Sequence, residues 1–543
     1  MTSVVYNEKL YNLSFPVTCD QVVKEIGIQG TPAVIVGLKV NGIVQSLNSY
    51  IPTKRCTISP CYIRCVEGQN MARRSEILIA RYALHKLYPD VEMTVIADYS
   101  DCTEFCVSPK LNEEQLKELN KEFNELHTQS ISNGQLPHSY LNLHFVETHQ
   151  PHSKSLIESL NEPTYPCAII NNFATLSLDQ PYISEPSILP EYSQLKLESN
   201  GSLLVCFPSL IHTDSYKFND APIITCPHEL NKEMDVGYVN KQIAQKTINE
   251  LMIESENYHV QQLSKLIEVI KSRPTQLVLI AGPSSSGKTT FAHKLGLGLQ
   301  GVGYNPLVLS VDNYYVHKDY CPLGPDGKRD WECIEALRLG LLNDHLCGLM
   351  QGKEIVVPQF DFATSTPLPN KGTKVKLEKN GIIIMEGIHC LNERLTEKIP
   401  HDKKVKVFIA PLSNKLCLND DVILNNNFLR IQRRMVRDNI FRSYSASKTL
   451  GVWDAVASSE KIWIYPYIKD ADFVYSTFLT TEVNGLITFS LNLLRMVSSD
   501  DKNYGFAQSY KRLLQYYLPM DSVDFAGNSI LREFIGNGDF DCH

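Results

Sequence analysis

The stretch from 277 to 290 constrains the fold of this chain more than any other. Four apolar residues, 277–280, predict a buried strand, and the pattern of 291–295 predicts a helix. Between them lies a Gly-x-x-x-x-Gly-Lys-Thr motif, whose glycines let the backbone wrap around a phosphate ahead of the helix N-terminus. This order predicts a phosphate-binding loop made by Gly282, Pro283, Ser284, Ser285, Ser286, Gly287, Lys288, Thr289 and Thr290. In such a loop Lys288 reaches the β- and γ-phosphates of a nucleotide, and the Thr289 hydroxyl binds Mg²⁺.

Three further apolar runs, at 306–312, 381–387 and 404–410, predict strands of the same kind. Strands that are apolar throughout and alternate with helices are typical of a parallel sheet that is buried on both faces. Ligands bind at the carboxyl ends of such strands. Asp312 and Glu386 fall at these ends, so we expect them to share one site with the loop. The predicted fold class is α/β, with a mostly parallel sheet and helices on both faces.

Composition limits the partners that this chain can have. Its 543 residues predict three or four domains. The net charge of −8 gives no basic excess and therefore disfavours nucleic acid as a partner. No apolar stretch approaches the length of a membrane span, and residues 1–8 show no export signal. We therefore expect a cytoplasmic protein whose 15 cysteines are reduced thiols. The sequence does not fix the oligomeric state and allows a homo-oligomer.

The other motifs narrow the class of phosphate-loop protein. GTPases read guanine with an Asn-Lys-x-Asp motif, and none of the Asn-Lys pairs at 231, 240, 370 and 414 continues to that Asp. The Ser-Gly-Gly signature of transporter ATPases is also absent. The remaining class is a small-molecule kinase.

Five motifs follow one another in the order of a known kinase family. They are 282–290, Ser310-Val311-Asp312-Asn313-Tyr314-Tyr315, the run 357–362, Glu386-Gly387-Ile388-His389, and the arginine-rich run 430–438. With these motifs, residues 275–480 resemble the uridine kinase and phosphoribulokinase family. The resemblance implies an enzyme that binds ATP and Mg²⁺ and phosphorylates the 5′-hydroxyl of a nucleoside, uridine or cytidine in the first instance.

The resemblance also implies roles for individual residues. Asp312 would accept the hydroxyl proton, although a strand-end Asp can also simply cap a turn. Thr289 and Glu386 would hold Mg²⁺. Arg430, Arg433, Arg434 and Arg437 form a stripe on one predicted helix, either as a lid over the phosphates or as a basic face that pairs with Asp438. The expected catalytic residues are Asp312, Lys288, Arg433 and Arg437, and the expected substrate residues are Asp330, Arg430 and Tyr314.

Two departures from the family leave the acceptor open. Uridine kinases carry a His and an Arg after the run 357–362, whereas residues 363–367 contain neither. The acidic stretch before the arginines is reduced to Asp420 and Asp421, followed by Asn425, Asn426 and Asn427. The acceptor could therefore be another nucleoside or another alcohol. Two further alternatives are a regulatory protein that senses RNA or a small ligand, and a sugar-phosphate kinase like phosphoribulokinase, for which we locate no second basic pocket.

The N-terminal half has a different texture. An Asn-Gly pair at 41–42 between β-rich runs predicts a hairpin, and apolar spacing over 72–88 predicts a helix. The runs 73–78 and 86–89 resemble the start of threonyl-tRNA synthetases, a TGS domain followed by an editing domain. Arg74 and Leu78 stand where those enzymes have two histidines, so we expect neither editing activity nor zinc here. The histidines at 144, 149 and 152 are expected on the surface.

These observations predict five segments. They are a TGS-like domain at 1–66, a degenerate editing-like α+β domain at 67–224, a helical linker at 225–274, the kinase domain at 275–500 and a C-terminal extension at 501–543. The linker contains one unbroken helical pattern from Val236 to Ile270.

Overall fold

The structure is a computed structural model that describes residues 2–29, 34–52, 55–212, 235–324, 327, 329–361, 364–412, 416–423, 425–521 and 524–542. Its first sheet contains β1 Thr2–Tyr6, β2 Lys9–Leu13, β3 Ile35–Val40, β4 Ile43–Ser46 and β5 Cys56–Tyr62. The strand order is β2-β1-β5-β3-β4, and helix α1 Cys19–Ile26 packs on this sheet. Asn41 and Gly42 join β3 to β4 with φ values of 50° and 76°, as a tight hairpin turn requires. The predicted hairpin is therefore confirmed.

The next part of the chain combines a long helix with two antiparallel sheets. Helix α2 Val66–Leu87 is buried along most of its length. One sheet has the order β11-β12-β7-β6 and the other the order β10-β9-β8. The remaining elements are β6 Glu92–Asp98, β7 Cys102–Ser108, α3 Glu113–Leu126, β8 Ile131–Pro137, α4 His138–Glu147, α5 Pro151–Leu160, β9 Thr164–Ile170, β10 Phe173–Leu176, β11 Gln194–Leu197 and β12 Leu203–Cys206. Apolar residues of α2, α3 and both sheets share one core.

Two histidines of this part contradict the expectation of surface positions. His144 is buried and its Nε2 accepts a hydrogen bond from the Ala174 amide at 3.0 Å. His152 is buried too, with its Nδ1 2.9 Å from the Asp235 carboxylate. Their partners lie 30 and 83 residues away in the sequence, so the local polar composition around them gave no sign of burial.

The predicted linker helix is two helices. α6 Val236–Ala244 is followed by α7 Asn249–Lys271, and Lys246 between them has a φ of 59°, which interrupts the helical backbone. α6 packs closely on α5, because a Cβ on Gly237 would lie 2.4 Å from the Ser155 carbonyl carbon. The predicted boundary at 224/225 lies outside the described residues.

The remaining part is built on a five-stranded parallel sheet of order β14-β17-β13-β18-β19. Its strands are β13 Leu277–Ala281, β14 Asn305–Ser310, β17 Gly381–Glu386, β18 Lys404–Ala410 and β19 Phe473–Ser476, and β15 Ile355–Asp361 with β16 Thr366–Val375 forms a separate hairpin. The helices are α8 Lys288–Gly301, α9 Leu339–Met350, α10 Asn426–Arg442, α11 Ala446–Gly451, α12 Trp453–Trp463, α13 Glu482–Arg495, α14 Tyr504–Leu514 and α15 Arg532–Ile535.

The central strand of this sheet is covered on both faces. Leu277 and Leu279 of β13 belong to one core, whereas Val278 and Ile280 belong to the core on the other face. All five residues of β13 are buried. The predicted α/β class with a parallel sheet between two helical layers is confirmed.

The segment 416–423, which precedes α10, is embedded in the N-terminal half. The Asp420 carboxylate accepts hydrogen bonds from the His152 and Ser153 amides at 3.1 and 2.8 Å, in the first turn of α5. Arg81 of α2 donates to Asp421 at 2.6 Å. These two carboxylates therefore join the halves of the molecule, because an anion is stabilised at a helix N-terminus and beside a guanidinium.

Within the described ranges, we find no helix that combines the length and the apolar character needed to cross a membrane.

Candidate active site

The phosphate-binding loop connects β13 to α8, and its glycines are required by close packing. A Cβ on Gly282 would lie 2.2 Å from the Ile409 carbonyl oxygen of the neighbouring strand. Gly287 has a φ of 89°, and a Cβ there would lie 2.7 Å from Ile530. The Ser285 and Ser286 hydroxyls are buried and lack a hydrogen-bond partner within the described part of the chain. The loop therefore presents a tight backbone with donors still to be satisfied, which fits the oxygens of a phosphate.

Lys288, the first residue of α8, lies over this loop. Its Nζ donates to the carbonyl oxygens of Gly282 and Pro283 at 3.1 and 3.2 Å. The same ammonium lowers the pKa values of Asp312 and Glu386 against the effect of burial. The structure thus brings Lys288 together with both carboxylates that end neighbouring strands, as the sequence pattern predicts.

Asp312 and Glu386 stand at the ends of two neighbouring strands, and the Asp312 charge acts on Glu386. Glu386 is buried at the end of β17 and accepts a hydrogen bond from the Ser310 hydroxyl at 2.7 Å. Burial and, next, the Asp312 charge raise the pKa of Glu386 to about 7. Burial also raises the pKa of Asp312, which lies in the helical turn Val311–Tyr314 directly after β14. Two neighbouring carboxylates with raised pKa values are a site that a divalent cation or a proton would stabilise.

Glu332 is a third acidic residue of the site, and sequence reasoning missed it. Its pKa is raised, mainly by desolvation, while the charges of Arg434 and Lys288 lower it. Asp330, the residue expected at the substrate, accepts a hydrogen bond from the Glu332 amide at 3.0 Å. Its side chain thereby stabilises the turn between Asp330 and Glu332. The substrate role of Asp330 stays a prediction. The two carboxylates are two residues apart, and the sequence gave no sign that the Lys288 charge acts on Glu332.

The arginines of α10 divide into two groups. Arg430 and Arg433 are fully buried and paired with the Glu460 and Glu482 carboxylates. Arg430 Nε also donates to the Ser284 carbonyl at 2.8 Å, and Arg433 Nη2 donates to the Thr477 carbonyl at 2.8 Å. These two side chains therefore lie beneath the loop and brace it.

The second group lies at the side of the loop. Arg434 Nη1 donates to the Ser284 hydroxyl at 2.6 Å. Arg437 pairs with Asp438 at 2.8 Å, and Arg442 lies 3.3 Å from the same carboxylate. Arg442 also lowers the pKa of Asp312, which places its charge near the site although no family motif indicates it. The lid role expected for Arg433 and Arg437 stays a prediction.

Tyr314, the last residue of the turn that contains Asp312, contacts helix α9. Its side chain is buried, and its hydroxyl is 3.1 Å from His345 Nδ1 on α9. The neighbouring Tyr315 stands in an aromatic cluster with Trp331 and Phe360, with ring centroids 5.4–5.9 Å apart. The substrate role of Tyr314 stays a prediction, and the cluster is an apolar surface close to Asp312 and Glu332, both of which influence the pKa of Tyr315.

The C-terminal part of the chain completes the loop's surroundings. Glu533 is buried and accepts a hydrogen bond from the Thr290 amide at 3.0 Å, in the first turn of α8. The Cys542 thiol lies 3.4 Å from the Thr290 hydroxyl. The sequence did not indicate these contacts, because they join positions more than 240 residues apart.

Comparison with known proteins agrees with this geometry. Residues 277–484 match the family model described as "Phosphoribulokinase / Uridine kinase family". A protein named uridine kinase from Lactobacillus johnsonii is 29% identical over 206 residues, which is 38% of this chain and 88% of the relative. One of the same name from Staphylococcus aureus is 25% identical over 203 residues, which is 37% of this chain and 87% of the relative.

Two solved structures align with part of this chain at low similarity. One described as a possible uridine kinase from Bacillus stearothermophilus is 19% identical, covers 40% of this chain and 98% of its own, and has a TM-score of 0.26. A D-glycerate 3-kinase from Cryptococcus neoformans covers 48% of this chain and 87% of its own, with 16% identity and a TM-score of 0.20. Residues 277–484 are therefore similar to a domain of the uridine kinase/phosphoribulokinase family, and this match includes the phosphate-binding loop.

Proposed function

We propose that this protein transfers the γ-phosphate of ATP to the 5′-hydroxyl of a nucleoside, with Mg²⁺ as the metal ion. One observation carries the proposal: Asp312 and Glu386 stand at the ends of neighbouring parallel strands, where Ser310 pairs with Glu386, and the Lys288 charge at the phosphate-binding loop acts on both carboxylates. A protein that only binds a nucleotide needs the loop, whereas a second carboxylate near the γ-phosphate position serves a reaction.

The residues of the site divide the work as follows. Asp312 accepts the proton of the attacking hydroxyl, and the desolvation that raises its pKa makes it a stronger base. Glu386 and the Thr289 hydroxyl would hold Mg²⁺, which would neutralise charge on the phosphates. Lys288 and Arg434 place positive charge at the loop, where charge spreads over the phosphoryl oxygens during transfer.

The acceptor site is the least constrained part of the proposal. The cluster of Tyr315, Trp331 and Phe360 offers aromatic faces on which a base can stack, and the Glu332 carboxylate can accept hydrogen bonds from ribose hydroxyls. Both features favour a nucleoside over a small sugar phosphate, and a pyrimidine nucleoside is our first choice. Residues 363–367, which lack the His and Arg of uridine kinases, begin outside the described residues. The identity of the nucleoside base therefore stays open.

For the N-terminal half we propose a structural or binding role on a synthetase-like scaffold. The five-stranded sheet of order β2-β1-β5-β3-β4 with one packed helix supports a TGS-like domain at 1–66. The carboxylates at 420 and 421 tie this half to the segment that leads into the arginine helix. The domain limits, a cytoplasmic location and a homo-oligomeric state stay predictions.

A coupled assay of ADP release across nucleosides and sugar phosphates tests the proposal. We expect turnover with a nucleoside, and a loss of about 10²–10⁴-fold in kcat for Asp312→Asn while ATP binding is retained. Asp344→Asn is the matched control, because it alters an exposed acidic side chain on α9 that lies outside the site. ATP binding without turnover on any acceptor would refute the kinase proposal, and unchanged turnover in Asp312→Asn would refute the assignment of the base.

A further inference from the structure

Two cysteines meet where β5 ends and α2 begins, far from the phosphate-binding loop in the sequence. The Cys61 and Cys65 sulfur atoms are 3.6 Å apart. The chain between them makes a tight turn in which the Cys65 amide donates to the Tyr62 carbonyl at 3.0 Å. Gly68 allows this turn, because a Cβ there would lie 2.1 Å from the Tyr62 oxygen. The backbone therefore holds the two thiols in contact.

The two thiols differ in exposure and in electrostatic surroundings. Cys65 is partly exposed and is the N-cap residue of α2, a helix of 22 residues. The Cys61 thiol, the Gly68 amide and the Lys39 ammonium lower the pKa of Cys65 to about 7, against burial and the Glu67 charge. Cys61 is fully buried, and its contact with Cys65 together with burial raises its pKa. Cys65 is thus the more acidic sulfur and lies within reach of solvent, whereas Cys61 is buried against it.

We propose that Cys61 and Cys65 form a reversible disulfide, in which Cys65 is the site of oxidation by a hydroperoxide and Cys61 is the thiol that resolves it. The sulfurs must approach by about 1.6 Å from their present separation to reach disulfide length.

Two thiols and one molecule of hydrogen peroxide give one disulfide and two molecules of water. The Cys65 thiolate attacks one peroxide oxygen, the O–O bond breaks, and the departing hydroxide takes up a proton to leave as water. The product is a sulfenic acid on Cys65. The Cys61 sulfur then loses its proton and attacks the Cys65 sulfur, which releases the second water and forms the S–S bond. Two thiols supply two electrons, and a dithiol reductant reverses the reaction.

Peptide mapping of the full chain tests the pairing directly. Arg64 lies between the two cysteines, so trypsin separates peptide 56–64 from peptide 65–73. After treatment with hydrogen peroxide and alkylation, we expect these peptides to be linked by a bond that dithiothreitol breaks. Fragmentation must assign the bond to Cys61, because Cys56 is in the same peptide. A bond at Cys56, or unlinked peptides when the exposed Cys106 is already oxidised, would overturn the proposal.

The rate of alkylation gives a second, independent measurement. At pH 7 a thiol with a pKa of about 7 holds about fifty times more thiolate than one at 9.0. Its lower nucleophilicity removes about eightfold of this gain. We therefore expect iodoacetamide to label Cys65 about six times faster in the folded protein than in urea, and an equal or lower rate would count against the proposal.

Two variants separate the roles of the sulfurs. In Cys61→Ser the sulfenic acid on Cys65 should persist long enough to be trapped by dimedone, and no linked peptide should form. Cys106→Ser, which removes an exposed thiol elsewhere, should leave the link unchanged. Failure to trap a sulfenic acid in folded Cys61→Ser would contradict the assigned order, and the peptide map of the unmodified sequence decides the pairing even if that variant does not fold.

Discussion

The buried pair of Arg430 and Glu460 gives the sharpest prediction about the phosphate-binding loop. The Arg430 guanidinium is completely buried, and it bonds both to Glu460 and to the Ser284 carbonyl. Glu460 in turn accepts a hydrogen bond from the Ser284 amide at 3.1 Å. Both backbone groups of one loop residue therefore depend on this pair.

Replacing Glu460 with Gln leaves the Arg430 charge buried without its counter-ion. The expected loss is about 3–5 kcal/mol in the free energy of unfolding, because an unpaired buried charge keeps its full desolvation cost. Arg430→Met leaves Glu460 in the same position and should cost a similar amount. The double variant Arg430→Met with Glu460→Gln should lose less than the sum of the two, since neither charge remains.

Tryptophan fluorescence during urea unfolding measures this loss in the relevant half of the molecule. All three tryptophans, at 331, 453 and 463, belong to the kinase half. The exposed pair of Arg394 and Glu335, also in that half and 2.7 Å apart, provides a matched control. Glu335→Gln should cost less than about 1 kcal/mol, because water screens this pair. If Glu460→Gln lowers the free energy of unfolding no more than Glu335→Gln does, the buried pair of Arg430 and Glu460 does not stabilise the protein as we expect.

Three further predictions concern the metal site, the joint between the halves and the C-terminal brace. Because Glu386 has a pKa of about 7, above its ordinary value of 4.5, the metal-free protein should lose stability as pH rises from about 4.5 to 7. Mg²⁺-dependent turnover should rise over pH 6–8. Glu386→Gln should flatten the dependence of thermal stability on pH, and an unchanged slope would refute the assignment. Arg81→Met should lower the free energy of unfolding by about 3–5 kcal/mol, because it leaves Asp421 buried without its cation, and the tryptophan-detected transition should therefore move to lower urea. An unshifted transition would show that the halves unfold independently. Glu533→Ala should destabilise the protein by about 1–2 kcal/mol and so lower its midpoint of thermal unfolding. Glu533→Gln keeps an acceptor for the Thr290 amide and should retain most of the stability. Equal losses in the two variants would contradict a hydrogen-bonded cap.

The sequence was sufficient for features that a short stretch determines by itself. The order of strand, glycine-rich loop and helix at 277–301 is local, and apolar strands that end in Asp312 and Glu386 follow the rule that parallel strands meet at one edge. The hairpin at 41–42 depends on two residues with positive φ. These features were predicted because their causes lie within a few residues of one another.

Features that depend on distant partners were not predictable in the same way. The arginine stripe on α10 was visible, but the burial of Arg430 and Arg433 depends on Glu460 and Glu482, which lie 30 and 49 residues further on. The same holds for the buried His152, whose partner Asp235 is 83 residues away. Charge patterns alone do not distinguish an exposed cation from one that a later carboxylate covers.

The contact between Arg81 and Asp421 has a consequence for the synthesis of this chain, because it joins residues 340 positions apart. At about 5–20 residues per second, a ribosome needs on the order of 20–70 s to deliver Asp421 after Arg81 has emerged. During that time the nascent N-terminal half holds a buried guanidinium and the first turn of α5 without the carboxylates that complete them. Cys417 and Ile423 are also part of the core of that half. The N-terminal half therefore completes these contacts only after residues 416–423 have been synthesised.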